Sequence, residues 1–189
     1  FQPPTGGRVT LGGRSLVGLP PHLVARAGVV RTFQAVRLFD GLTVRENVEA
    51  STAVSGSGQA GDLLTLLGLA GMADRRAGDL PYADQRRLAI ARALALSPRF
   101  LLLDEPAAGM SPEETADLNA TLQRIRDRTR LGILLVEHNM DLVMAVSDRV
   151  VVLDVGRVIA SGTPDEVRGD PAVHAAYLGG VDEAIDEPA

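Results

Sequence analysis

Residues 100–106 read FLLLDEP and residues 131–138 read LGILLVEH. Each is a short unbroken apolar run bounded by turn-forming or charged residues, the texture of a strand buried on both faces of a parallel sheet. The fold class that follows is α/β. In open sheets of this class ligands gather at the C-terminal ends of the strands, and there the first run stops at Asp104 and Glu105 and the second at His138. One carboxylate at such a place suits Mg²⁺, which takes one or two acids and completes its shell with substrate phosphates, while the second acid is free to orient or deprotonate a nucleophile. The chemistry indicated is nucleotide hydrolysis.

A phosphate-binding loop of the Walker A form, G-x-x-x-x-G-K-[ST], cradles phosphates with its backbone N–H groups and reaches them with its lysine. No stretch of the 189 residues fits it, and all 19 basic residues are arginine. A phosphate-binding lysine is therefore absent from these residues.

At 46% apolar the chain can bury a full core, one domain with a small insert. Zero cysteines exclude disulfides and thiolate metal sites, and His22, His138 and His174 are too scattered for a zinc site. No apolar stretch reaches the roughly 20 residues needed to cross a bilayer, and the opening FQPPTGGRV has neither a charged leader nor an apolar signal core. The net charge of −5 argues against nucleic acid as the main partner. No internal repeat is visible.

Along the chain, GGRVTLGGRSL reads as a hairpin, Pro20-Pro21 precede a short helix that Gly28 would cap, and VVRTFQ, residues 29–34, is the next strand. Thr43 and Glu46 have capping-box spacing. SGSGQAG, residues 55–61, is a flexible linker by composition. DLLTLLGLAGMA and DQRRLAIARALALS are helical, the second stopped by Pro98. Arg86, Arg87 and Arg92 read as the solvated side of that second helix. Ser111-Pro112-Glu113-Glu114 supplies a cap, a first-turn proline and a capping-box glutamate, and Leu118, Leu122 and Ile125 share one face of the helix that follows. A helix through MDLVMAV, whose methionines read as core packing, a hairpin around Gly156, and two short helices starting at Thr163-Pro164 and Asp170-Pro171 complete the chain before an acidic tail.

Taken in order, VVRTFQAVRLFDGLTVREN, QRRLAIARAL, LLLDEPAAGMSP, LVEHNMDLV and GTPDEVRGDPAVHAAYLG resemble strings of the ATP-binding subunits of ABC transporters, and most specifically those of the branched-chain amino acid importers. The resemblance runs from residue 1 to about Gly180. It implies a P-loop NTPase core with a parallel sheet and a helical insert, truncated at its N-terminal side: residues 1–34 and 98–162 as ATPase core, 35–97 as a helical subdomain ending in the signature helix, and 163–189 as C-terminal helices and tail. It further implies ATP and Mg²⁺ as cofactors, a second ATPase subunit of the same or another kind, transmembrane permease subunits as partners, and a cytoplasmic position on the inner face of the cell membrane.

Residue by residue, the resemblance makes Gln34 the Q-loop glutamine that touches Mg²⁺ and the attacking water. Asp104 becomes the Mg²⁺ ligand, Glu105 the carboxylate that orients the water, and His138 the switch histidine near the γ-phosphate. Leu80, Pro81, Tyr82, Ala83, Asp84 and Gln85 fall on the signature loop, which in the family faces the partner subunit's ATP from a helix N-terminus. Here proline replaces its serine, and tyrosine and alanine replace its glycines. Ala108 to Ser111 fall on the D-loop, with Ser111 where an acid is usual. SGSGQAG stands where the importers carry a longer helical segment.

The chain starts just past the point where the family's Walker A helix ends, so two origins stay open: a fragment of a longer protein, or a degenerate copy. The 189 residues by themselves are expected to hydrolyse ATP negligibly, because the phosphate cradle supplies most of the charge stabilisation. The alternative function is a non-catalytic module that dimerises or docks on a permease while a partner hydrolyses. An ATPase head of the DNA-repair type is set aside, since no sustained heptads lie between Gln34 and Leu80.

Overall fold

The computed structural model describes residues 4–33, 36–56 and 60–178. The opening hairpin pairs β1 (Thr10–Leu11) with β2 (Arg14–Ser15) across Gly12 and Gly13. Both glycines have positive φ, as a two-residue turn matched to strand twist requires. Pro21 starts α1 (Pro21–Arg26), and Gly28, at φ 102°, turns the chain into β3 (Val29–Arg31). That strand is shorter than the 29–34 expected from sequence. Thr32 still donates its N–H to the carbonyl of Leu102, and Gln34 lies outside the described residues.

Among the described residues three α-helices follow: α2 (Val44–Ser55), α3 (Ala60–Leu66) and α4 (Tyr82–Leu94). The capping box at the start of α2 forms in both directions, Glu46 N–H to Thr43 Oγ1 at 3.1 Å and Thr43 N–H to the Glu46 carboxylate at 2.7 Å. The Thr43 N–H, and with it the Thr43 hydroxyl at 2.9 Å, donate to the Glu46 carboxylate and hold it below the usual carboxylate range. The linker expected over 55–61 is narrower at both ends. Ser55 closes α2 with Gly56 as a left-handed cap, and Ala60 and Gly61 are already in α3.

Buried Asn47 ties the preceding loop to α2. Its side-chain oxygen accepts from Phe39 N–H, and its amide donates to the carbonyls of Phe39 and Thr43, each at 3.0 Å. Asn47→Ala leaves those groups unpaired, so the midpoint of urea unfolding falls by the equivalent of about 2 kcal/mol; an unchanged midpoint would show the loop anchored elsewhere.

β4 (Phe100–Asp104) is the centre of a three-stranded parallel sheet. It is flanked by β3, with Arg31 opposite Leu102, and by β5 (Gly132–Val136), with Asp104 opposite Val136. Between β4 and β5 runs α5 (Pro112–Arg128), capped by Ser111 and Glu114 as its sequence requires, with Leu118, Leu122 and Ile125 buried. The two long apolar runs are thus adjacent strands, and the helical insert lies between β3 and β4 in sequence.

The described residues fall into two compact units, one ending at Glu137 and the other beginning at His138. The second contains α6 (Met140–Val146), the antiparallel pair β6 (Val150–Asp154) and β7 (Arg157–Gly162), α7 (Pro164–Arg168) and α8 (Pro171–Val173). Its core is Val150, Val152, Ala160, Val167 and Val173, against which Met140 and Met144 pack. The hairpin turn holds Val155 at φ 43°, with the residue 94% exposed. A β-branched side chain is strained in that conformation. Val155→Asn, which tolerates it, raises stability by about 1 kcal/mol; an unshifted thermal midpoint would refute the strain.

Candidate active site

Asp104 and Glu105 stand together where β4 ends. The Asp104 carboxylate accepts a 2.6 Å ion-paired hydrogen bond from Arg31 Nη2 on the neighbouring strand, with the two side chains 28% and 45% exposed. Glu105 leaves the strand in the left-handed region, at φ 43°. Its N–H still bonds the carbonyl of Val136, at 2.9 Å, so the strand hands over to the turn without losing its ladder. The carbonyl of Glu105 then accepts from Ala108 N–H and from Arg86 Nη1, both at 3.2 Å. Two residues beyond Glu105, Ala107 donates its N–H to the Glu137 carboxylate at 2.8 Å. A non-glycine residue held in this conformation persists only when its surroundings over-determine it, and such residues gather at functional sites.

Leu80 to Gln85 form the entry to α4. Pro81 precedes the first turn in extended conformation, Ala83 is buried in ordinary helical backbone, and Asp84 pairs with Arg87 at 3.1 Å. Gln85 folds its amide back onto the carbonyl of Leu80 at 3.0 Å. Tyr82 is half-exposed, and it is joined to Glu105 through Arg86. His138 opens the second unit, directly before Asn139, whose side chain caps α6.

The expectation that Arg86, Arg87 and Arg92 form a solvated face is overturned. Arg86 is 5% exposed, because Tyr82 Oη and the Glu105 carbonyl satisfy its guanidinium. Arg87 is held between Asp84 and Asp117, and Arg92 lies over the Phe39 ring and donates to the carbonyl of Arg37. Burial lowers the pKa of Arg92. Three residues of the site, Arg31, Arg86 and Glu137, were not singled out for it from sequence. Glu137 alone had a local signal, its place beside His138 at the end of an apolar run.

Among the described residues no group of three or more His, Cys, Asp or Glu is disposed to hold a metal. An ion that brings phosphate oxygens with it needs only one protein carboxylate. Asp104 fits that demand: it is partly exposed at a strand terminus and already carries a cation, the Arg31 guanidinium, against its oxygen.

Residues 1–108 match the family described as ABC transporter, and residues 157–183 match that described as branched-chain amino acid ATP-binding cassette transporter. The high-affinity branched-chain amino acid transport ATP-binding protein LivG of Salmonella typhimurium is 44% identical, the match covering 95% of this chain and 78% of that protein. BraF of Pseudomonas aeruginosa, described in the same terms, is 42% identical over the same shares. A crystal structure of the ADP conformation of MJ1267, an ATP-binding cassette of an ABC transporter, superposes with a TM-score of 0.81 at 27% identity, covering 93% of this chain and 78% of that one. A parallel sheet whose central strand ends in an acid pair, a helical insert between β3 and β4, and identity sustained over nearly the whole chain place it in one family: the chain belongs to the ATP-binding cassette ATPases of ABC transporters.

Proposed function

We propose that this chain is the energy-converting subunit of an importer for branched-chain amino acids. The carrying observation is the match of residues 157–183 to the branched-chain family, joined to 42–44% identity with LivG and BraF. In this reading the protein works at the cytoplasmic face of the cell membrane, paired with a second ATPase subunit and docked on permease subunits. Among the described residues no helix is long and apolar enough to cross a membrane.

Within the site, Asp104 would hold Mg²⁺ together with Gln34, Glu105 would orient the attacking water, and His138 would face the γ-phosphate. Mg-ATP, when bound, supplies the transferable phosphoryl group and a metal that neutralises charge on its oxygens. Arg31 must give up or share the Asp104 carboxylate for this to happen. Pro81 to Gln85, at the N-terminus of a 13-residue helix, would present that end to a phosphate of the partner subunit. Residues 35–97 would form the arm that docks on the permease. Between this arm and the end of β3 a groove of about 220 Å³, lined by Phe33, Arg37, Ser51, Arg92 and Leu96 among others, offers both aromatic and cationic contacts.

The test is reconstitution of the full-length protein with its permease and binding protein in vesicles, with labelled leucine outside and MgATP on the ATPase side. Leucine uptake follows MgATP and stops with Glu105→Gln. ATP turnover without transport of leucine, isoleucine or valine would remove the substrate assignment and leave the ATPase standing.

A further inference from the structure

We propose that Arg86 is a positioning residue for Glu105, and that Arg86 and Tyr82 together form a link between the signature loop and the hydrolytic turn of the same chain. The inference rests on the reading of Glu105 as the water-orienting carboxylate. Arg86 sits one helical turn after Tyr82 on α4 and is almost fully buried. Its Nε and Nη2 both donate to the Tyr82 hydroxyl oxygen, the former at 3.0 Å, and its guanidinium lies 5.0 Å from the Tyr82 ring centroid. The remaining arm, Nη1, reaches the Glu105 carbonyl at 3.2 Å. A planar fork with fixed donor directions holds both oxygens in one geometry, which a lysine cannot do.

The other end of the link is the strained one. Glu105 stays at positive φ because its carbonyl is claimed by Arg86 and Ala108 while its N–H is claimed by Val136. The Tyr82 ring also stands beside Gly109, where a Cβ would lie 3.6 Å from it, so the same aromatic borders the segment that follows Glu105. The acceptors named for Arg86 are uncharged, and a buried guanidinium is costly unless hydrogen-bonded. A leucine or methionine would suit simple packing better. What the arginine adds is direction: displacement of Tyr82 moves the fork, and the fork holds the turn that aims Glu105. In the proposed pairing with a second ATPase subunit Tyr82 would face the partner's nucleotide and Glu105 would serve this chain's own, so the link would couple the two sites through a single chain.

The experiment uses the full-length protein with Tyr82→Phe, Arg86→Lys and Arg86→Met, each alone and Arg86→Met also in a Glu105→Gln background. In the nucleotide-free protein, amide exchange across residues 105–109 accelerates about tenfold in all three single variants, the loss of about one hydrogen bond. ATP turnover in Arg86→Met falls about 10²-fold with nucleotide affinity unchanged, the cost of a misplaced catalytic group, and Arg86→Lys does not restore it. In the Glu105→Gln background Arg86→Met adds no further loss, because both act through one carboxylate. Wild-type exchange and turnover in the variants overturn the link, and so does an additive loss in the double variant. Full turnover in Glu105→Gln alone would instead remove the reading of Glu105, with the exchange rates still judging the link. Should Arg86→Met fail to fold, Tyr82→Phe, which deletes a single oxygen atom, decides.

Discussion

Glu105→Gln in the full-length protein lowers steady-state ATP turnover by about 10³-fold while nucleotide affinity holds, the loss expected when a group that orients and deprotonates water keeps its shape but not its charge. The backbone is untouched by this change. Glu105 is held by its own N–H on Val136 and by Arg86 and Ala108 on its carbonyl, and none of these contacts uses the carboxylate. Glutamine keeps these backbone bonds and the side chain's shape and removes its charge. Turnover against a binding titration with a fluorescent nucleotide separates the outcomes: near-normal turnover would mean that the carboxylate is not the group acting on water. Asp104→Asn provides the contrast, since it strikes the proposed metal ligand and shifts the Mg²⁺ requirement upward.

The second large effect is on the scaffold. Leu101→Ala costs about 2–5 kcal/mol, the transfer free energy of the lost carbons plus the cavity they leave. Leu101 is fully buried in β4, opposite Val30 on one side and Ile133 on the other, so both flanking strands feel the void. Against a total stability of about 5–15 kcal/mol, that loss consumes a large share. Urea unfolding should show a lower midpoint with an unchanged slope. Val54→Ala, at a helix position 77% exposed, is the control and stays within about 0.5 kcal/mol of the parent. Equal effects at the two positions would contradict β4 as the core strand.

Much of the scaffold was legible because its signals are local. Thr43 with Glu46, Ser111 with Glu114 and Thr163 with Glu166 each form their capping boxes, since partners three residues apart meet as soon as the first turn closes. Leu118, Leu122 and Ile125 lie buried on one face for the same reason of period. Length was less legible. β3 stops at Arg31 where the apolar and β-prone pattern runs further, because strand ends depend on what the neighbouring strand offers and not on propensity alone. The arginines of α4 misled most: helical period tells which residues share a side, but not whether another segment covers it. Arg86 was covered by the turn after β4.

The one-dimensional order of residues was enough to settle element types, the adjacency of Asp104 and Glu105, and their place at a strand terminus, because strand texture, caps and turns depend on neighbours a few positions apart. What touches those two acids was decided only by the folded path. Arg86 reaches Glu105 across 19 positions, Glu137 reaches Ala107 across 30, and Arg31 reaches Asp104 across 73. Contacts of that span form only once sheet register and helix docking have brought distant backbone within hydrogen-bonding distance, and no local pattern encodes which side chain will be waiting there.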